Sequence, residues 1–181
     1  NENNYFSKRN KINQKFILIT SNIAFPLSIK PLADRLDGIW KDTLSNREFK
    51  EKFILYTQAQ HTIILYEFLK CIRFLLEKLD EYLFVIRPHP NETEDIWKKI
   101  IGKEYKNLKI VKDLTVIDNL SDAELLIHTG CTSAIEAYIS NIPTIYYHPQ
   151  NFKINYQRVL LFKINKKFRT KEEVLKFIKL N

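Results

Sequence analysis

The sequence predicts an α/β fold of the Rossmann type, a parallel sheet with helices on both faces. Three observations predict it. Short, mainly apolar runs recur along the chain, notably 16–19, 82–86, 125–127 and 142–147, as strands buried on both faces require. Between them lie stretches whose apolar residues fall three to five positions apart, the spacing of an amphipathic helix. Most runs also end in small, polar or proline-containing turns, so strand, turn and helix alternate, which means right-handed crossovers and a doubly wound sheet.

The first strand is Phe16-Ile17-Leu18-Ile19-Thr20, followed at once by Ser21-Asn22, the pattern of a strand that empties into a functional loop. From Pro26 to Asn46, two prolines and mixed charges predict an irregular segment. Arg47 to Leu79 predicts the longest helix, with Phe53, Tyr56, His61, Ile64, Phe68, Ile72, Leu75 and Leu79 as its apolar stripe. Tyr82 to Ile86 is a buried strand that ends in Arg87-Pro88-His89-Pro90. Asn91-Glu92-Thr93-Glu94 supplies a helix cap and first-turn acids, Ile96, Trp97, Ile100 and Ile101 the stripe, and Gly102 the stop.

Leu108 to Val111 is a short strand, Val116 to Leu120 a helical turn, and Glu124 to His128 a further buried strand. Thr129-Gly130-Cys131-Thr132-Ser133 then leads into a helix over Ala134 to Tyr138, whose small residues suit close packing on a sheet. Ile142 to Tyr147 returns as a strand, and Lys171 to Leu180 is a final basic amphipathic helix.

With 181 residues, the chain has room for one domain or one large lobe of a two-lobe enzyme. A hydrophobic share of 45% with only three glycines fits a packed core. Residues 1–15 read as a tail or linker and 16–181 as the domain. The chain has no methionine and opens on Asn1-Glu2-Asn3-Asn4, so it reads as a piece of a longer protein. No apolar run approaches the ~20 residues of a membrane span. Cys71 and Cys131 lie in unlike contexts, which argues against a disulfide framework and fits a cytoplasmic protein.

The net charge of +8 suits polyanions, phosphorylated substrates or an anionic membrane. The excess near the C-terminus, including Lys163, Lys166, Lys167 and Arg169, is either a solvated face or a peripheral contact with the inner membrane surface. Nucleic acid is not an expected partner, because no RNP-like motif or zinc module is present.

In open parallel sheets, ligands bind beyond the carboxyl ends of the strands, and both unusual turns fall there. The prolines around His89 fix its backbone, so its ring can donate to a phosphate oxygen and, once protonated, neutralise a departing nucleotide. Arg87 can add a bidentate contact. A rigid turn and a surface ion pair are the alternative. At the second turn, Thr129, Gly130, Thr132 and Ser133 offer hydroxyls and N–H groups to an anion, or simply cap the helix.

Glu136 either accepts from ribose hydroxyls or favours the helix start. His128 and His61 read as structural, Cys131 as a small residue in a tight turn, and His148 as a candidate cleft residue. No cofactor or metal is expected, since the four histidines lack ligand spacing. Neither a P-loop nor a dinucleotide glycine motif is present.

Taken in order, Arg87-Pro88-His89-Pro90, His128-Thr129 with Thr132-Ser133 and Glu136-Ala137, and Pro143-Thr144-Ile145 resemble the C-terminal lobe of GT-B glycosyltransferases of bacterial surface-carbohydrate pathways. These include capsule Kdo transferases and bacterial sialyltransferases. The segment 19–25 also resembles surface carbohydrate biosynthesis proteins, and the likeness covers about residues 16–150. It implies that His89, Pro90, Thr132 and Ser133 hold the CMP part of a CMP-sugar, and that His89 is catalytic. It further implies transfer of a Kdo-like keto-sugar to a polysaccharide or lipid-linked acceptor, with an N-terminal acceptor lobe outside this chain. No catalytic base is assigned, although Asp37-Gly38 offers an Asp-Gly pair. A teichoic-acid-type polyol-phosphate transferase and a non-catalytic scaffold module are the rival readings.

Overall fold

The computed structural model describes residues 15–21, 47–112, 120, 122–150 and 166–180. The expectations for all but the last residue of the 1–15 tail, the 26–46 segment with Asp37-Gly38, most of the 116–120 turn and Lys163 lie outside the described residues. The rest form a six-stranded sheet in the order β3-β2-β1-β4-β5-β6, every pairing parallel. The strands are β1 (Phe16–Thr20), β2 (Phe84–Arg87), β3 (Leu108–Ile110), β4 (Ala123–His128), β5 (Thr144–Tyr147) and β6 (Lys166–Phe168). The helices are α1 (Arg47–Lys78), α2 (Glu94–Ile101), α3 (Ser133–Ile139) and α4 (Lys171–Leu180). This is the doubly wound order that the alternation predicts.

Alternation along the central strands divides the core in two. Ile17, Ile19, Phe84, Ile86, Leu125, Ile127 and Ile145 face α1, α2 and α4. Phe16, Leu18, Val85 and Leu126 face Ala134 and Ala137 of α3. Both sides of β1 and β4 are therefore dry, which is why their sequences are continuous apolar runs instead of alternating ones. Each such Leu, Ile or Phe contributes about 1.5–3 kcal/mol by leaving water.

α2 keeps the caps read from the sequence. Thr93 accepts from the Ile96 N–H (3.2 Å), and Gly102 closes the helix at φ 85°. Arg73 of α1 reaches over to donate to the last carbonyls, those of Ile100 and Ile101, so the guanidinium caps a neighbouring helix.

One expectation needs correction, and one element was not expected. Phe53 and Tyr56 are not part of the buried stripe of α1, since each is 51% exposed. A 32-residue helix runs about 48 Å whereas a five-residue strand covers about 17 Å, so α1 packs on the sheet mainly from Ile64 onward and its first turns overhang. The sixth strand has no apolar run to announce it. It is an edge strand carrying the exposed Lys166 and Lys167, charges that blunt an edge against further pairing.

Candidate functional site

The site is organised by the end of β1. Thr20 is in register with Arg87 on one side and His128 on the other. The two unusual turns therefore leave the sheet at one level, separated by a single strand, or about 10 Å of backbone. β1 and β4 are also where the chain reverses its direction of travel across the sheet, the switch point at which such folds open a crevice.

On the first side, Glu92 is completely buried and holds the turn. Its Oε2 accepts the His89 backbone N–H (3.0 Å) and the Trp97 indole N–H (2.7 Å). Ser21 Oγ donates to its Oε1 (3.0 Å) and lies 3.2 Å from Oε2. Lys112 Nζ donates to the Glu92 carbonyl (2.6 Å). The half-buried ring of His89 accepts the Asn91 N–H at Nδ1 (3.2 Å), so in the neutral ring the proton sits on Nε2 and that nitrogen is a donor. Pro88 is buried beneath the turn, and Pro90 is exposed at its tip.

On the second side, Thr20 Oγ1 bonds to Cys131 Sγ (2.9 Å) and Ser133 Oγ (3.0 Å), and Cys131 bonds to Ser133. Ser133 therefore turns its hydroxyl into the protein, whereas Thr132 stands exposed at the N-cap with no side-chain cap bond. Thr129 is buried. Gly130 adopts φ 100°, which only glycine takes without strain, and its N–H donates to His128 Nδ1 (3.0 Å). The His128 ring stacks on Tyr146 at 5.3 Å, and the Tyr146 ring meets His148 edge-on. His128 thus shapes the turn from within.

Electrostatics join the sides. Burial lowers the pKa of the half-buried Arg87 guanidinium, while Glu136 across β1, and after it Cys131, pull it back up. Arginine stays cationic even so. Burial pushes the Cys131 thiol up, which makes it a poor nucleophile at neutral pH. His148 is held low, first by burial and next by Lys167, and favours its neutral form.

The structure thus brings Arg87, His89, Thr132, Gly130 and Glu136 to one edge of the sheet. Sequence reasoning missed Glu92, Ser21 and Trp97 as supports of that edge. Glu92 looked like an ordinary acid at a helix start, and only the tertiary fold shows that it faces inward. Among the described residues, no cluster of His, Cys, Asp and Glu could hold a metal ion, and no helix is long and apolar enough to cross a membrane. A cavity of about 440 Å³ between Ile17, Tyr82, Leu125 and Phe177 opens at the opposite, amino edge.

No family model matches the chain, and no curated protein matches it. Its structure is similar to that of UDP-GlcNAc 2-epimerase from Methanocaldococcus jannaschii in complex with UDP-GlcNAc and UDP. The TM-score is 0.52 at 18% identity, over 92% of this chain and 38% of that one. A second structure of the same epimerase gives 0.51 at 17% identity, over 93% and 39%. Thermosulfurimonas dismutans KpsC, a beta Kdo 2,4 transferase, gives 0.42 at 12% identity, over 94% and 42%. The two epimerase structures establish the fold alone, a Rossmann-like sheet of the kind that forms one lobe of a GT-B protein. The chain spans less than two fifths of the length of those epimerases.

Proposed function

We propose that the chain is the donor-binding lobe of a glycosyltransferase, and that it holds the nucleotide of a nucleotide-linked sugar at the carboxyl edge of the sheet. The observation that carries this reading is the convergence of two polar turns on either side of β1, with Arg87 reaching electrostatically toward Glu136 between them. Arg87 supplies a fixed cation and His89 a preset Nε2–H donor for the phosphate. As the sugar–oxygen bond breaks, negative charge grows on the departing nucleotide, and these two groups bind that charge more strongly than they bind the ground state. The exposed Thr132 hydroxyl meets the same anion from the other side, on a turn that Gly130 makes possible, with Pro90 shaping the rim. Glu136 accepts from the ribose hydroxyls. A clamp of protein donors requires neither a metal nor a cofactor.

The finer reading is a CMP-linked, Kdo-like keto-sugar moved to a surface polysaccharide or lipid-linked acceptor at the inner face of the membrane. A second reading is favoured by the likeness to an epimerase bound to UDP-GlcNAc and UDP, namely a lobe that takes a uridine nucleotide. Calorimetry with CMP and UDP separates them. The glycosyltransferase reading expects saturable CMP binding, weakened at least about tenfold by His89→Ala or Arg87→Ala, as loss of a hydrogen bond to a charged group implies. A preference for UDP supports the second reading, and binding of neither nucleotide contradicts both.

A further inference from the structure

We infer that Glu92 is the positioning residue of this site, the group that sets where the His89 ring stands relative to the end of β1. The inference rests on the nucleotide-binding reading for its consequence and on geometry for its content. Glu92 is fully buried, and among the described residues its carboxylate accepts from three donors: the Ser21 hydroxyl, the His89 N–H and the Trp97 indole. These three come from different parts of the fold, namely the residue just after β1, the turn after β2 and the interior of α2. A carboxylate that merely capped α2 would sit at the helix start in solvent; the cap is already supplied by Thr93. Glu92 instead points back into the protein and takes the backbone of the one residue whose ring is offered to the ligand.

The arrangement has no slack. Two prolines leave the 87–90 segment with few N–H groups of its own, and the Glu92 N–H closes it by donating to the His89 carbonyl (2.8 Å). His89 is therefore gripped at its N–H by the Glu92 side chain and at its carbonyl by the Glu92 backbone. The ring, fixed in turn by the Asn91 N–H at Nδ1, inherits that placement. Because Ser21 is the residue after Thr20, whose hydroxyl meets Ser133 and Cys131, Glu92 also ties the first turn to the strand that anchors the second.

The test follows His89 directly, with CMP as the probe ligand. The imidazole ¹⁵N and ¹H signals of His89 are recorded in the wild type, Glu92→Leu and Glu92→Gln, and CMP affinity is measured for each well below its melting temperature. Leu keeps the bulk and removes both acceptors. Gln keeps one oxygen for His89 and Trp97 and can donate to a reoriented Ser21 hydroxyl. The expected result is that the ring signals move in Glu92→Leu, that CMP affinity falls at least about tenfold, and that Glu92→Gln recovers most of both. In a His89→Ala background, Glu92→Leu should cost no further affinity, since its effect passes through the ring.

Where Glu92→Leu does not fold, Trp97→Phe, which removes the 2.7 Å tether on Oε2 together with part of a fully buried ring, should move the same signals. Ring signals that stay in place in a folded Glu92→Leu or Trp97→Phe protein overturn the inference. A wild type that binds neither CMP nor UDP, with ring signals that still move, overturns the nucleotide reading and leaves the positioning role standing.

Discussion

The turn after β2 is held by a buried carboxyl group, whereas the turn after β4 is held by hydroxyls, a thiol and stacked rings. Glu92 gathers three donors in the first; Thr20, Cys131 and Ser133 share weak hydroxyl and thiol bonds in the second, backed by Tyr146 against His128. The difference teaches where each turn is vulnerable. A buried carboxylate surrounded by donors cannot be removed without stranding them all, while a hydroxyl in a small neutral cluster leaves partners that can turn to one another.

The largest expected effect follows from that contrast. Glu92→Ala strands the His89 N–H, the Trp97 indole and the Ser21 hydroxyl, and should cost about 3 kcal/mol or more in urea denaturation. Gly130→Ala comes next, at about 1–2 kcal/mol, because a side chain at φ 100° is strained. The added Cβ would sit 3.5 Å from the Tyr146 ring, an ordinary contact, so the loss measured in the same titration comes from the backbone. Thr20→Val, close in shape, should cost only about 1 kcal/mol. A Thr20→Val loss equal to that of Glu92→Ala would erase the distinction between the turns.

The smallest effect is a pH dependence on the second side. Burial depresses the folded-state pKa of His148 below its ordinary 6.5, so between the two values the unfolded chain binds the extra proton. His148 therefore leaves stability untouched above about pH 6.5 and lowers it progressively as the pH falls toward the folded value. Melting temperatures from pH 7.5 down to 5.5 should drop less steeply in His148→Gln than in the wild type. An unchanged slope would mean that the ring is not held neutral.

Much of this architecture is legible in the sequence because both faces of the central strands are buried. Phe16–Ile19, Phe84–Ile86 and Leu125–Ile127 had to be unbroken apolar runs, and each led straight to a turn of distinctive composition. The caps of α2 were legible because Thr93 and Gly102 act locally. β6 was not, since an edge strand of lysines buries too little to leave a pattern. The overhang of α1 was not, since a helical stripe continues through Phe53 and Tyr56 whether or not a sheet lies beneath it. Of the site, the residues facing outward, Arg87, His89 and Thr132, could be chosen by their chemistry. Their supports could not, because Glu92 owes its role to donors 71 residues before it and five after it.

The most direct measurement is a map of the backbone amide and imidazole NMR signals as CMP, or UDP, is titrated into the chain. The account expects saturable shifts at His89 and Asn91 and, with the same midpoint, at Gly130, Thr132 and Ser133, while the amino edge around Leu125 and Phe177 stays still. Shifts confined to one turn, or centred on that amino edge, would contradict the claim that the two strand exits form one anion site.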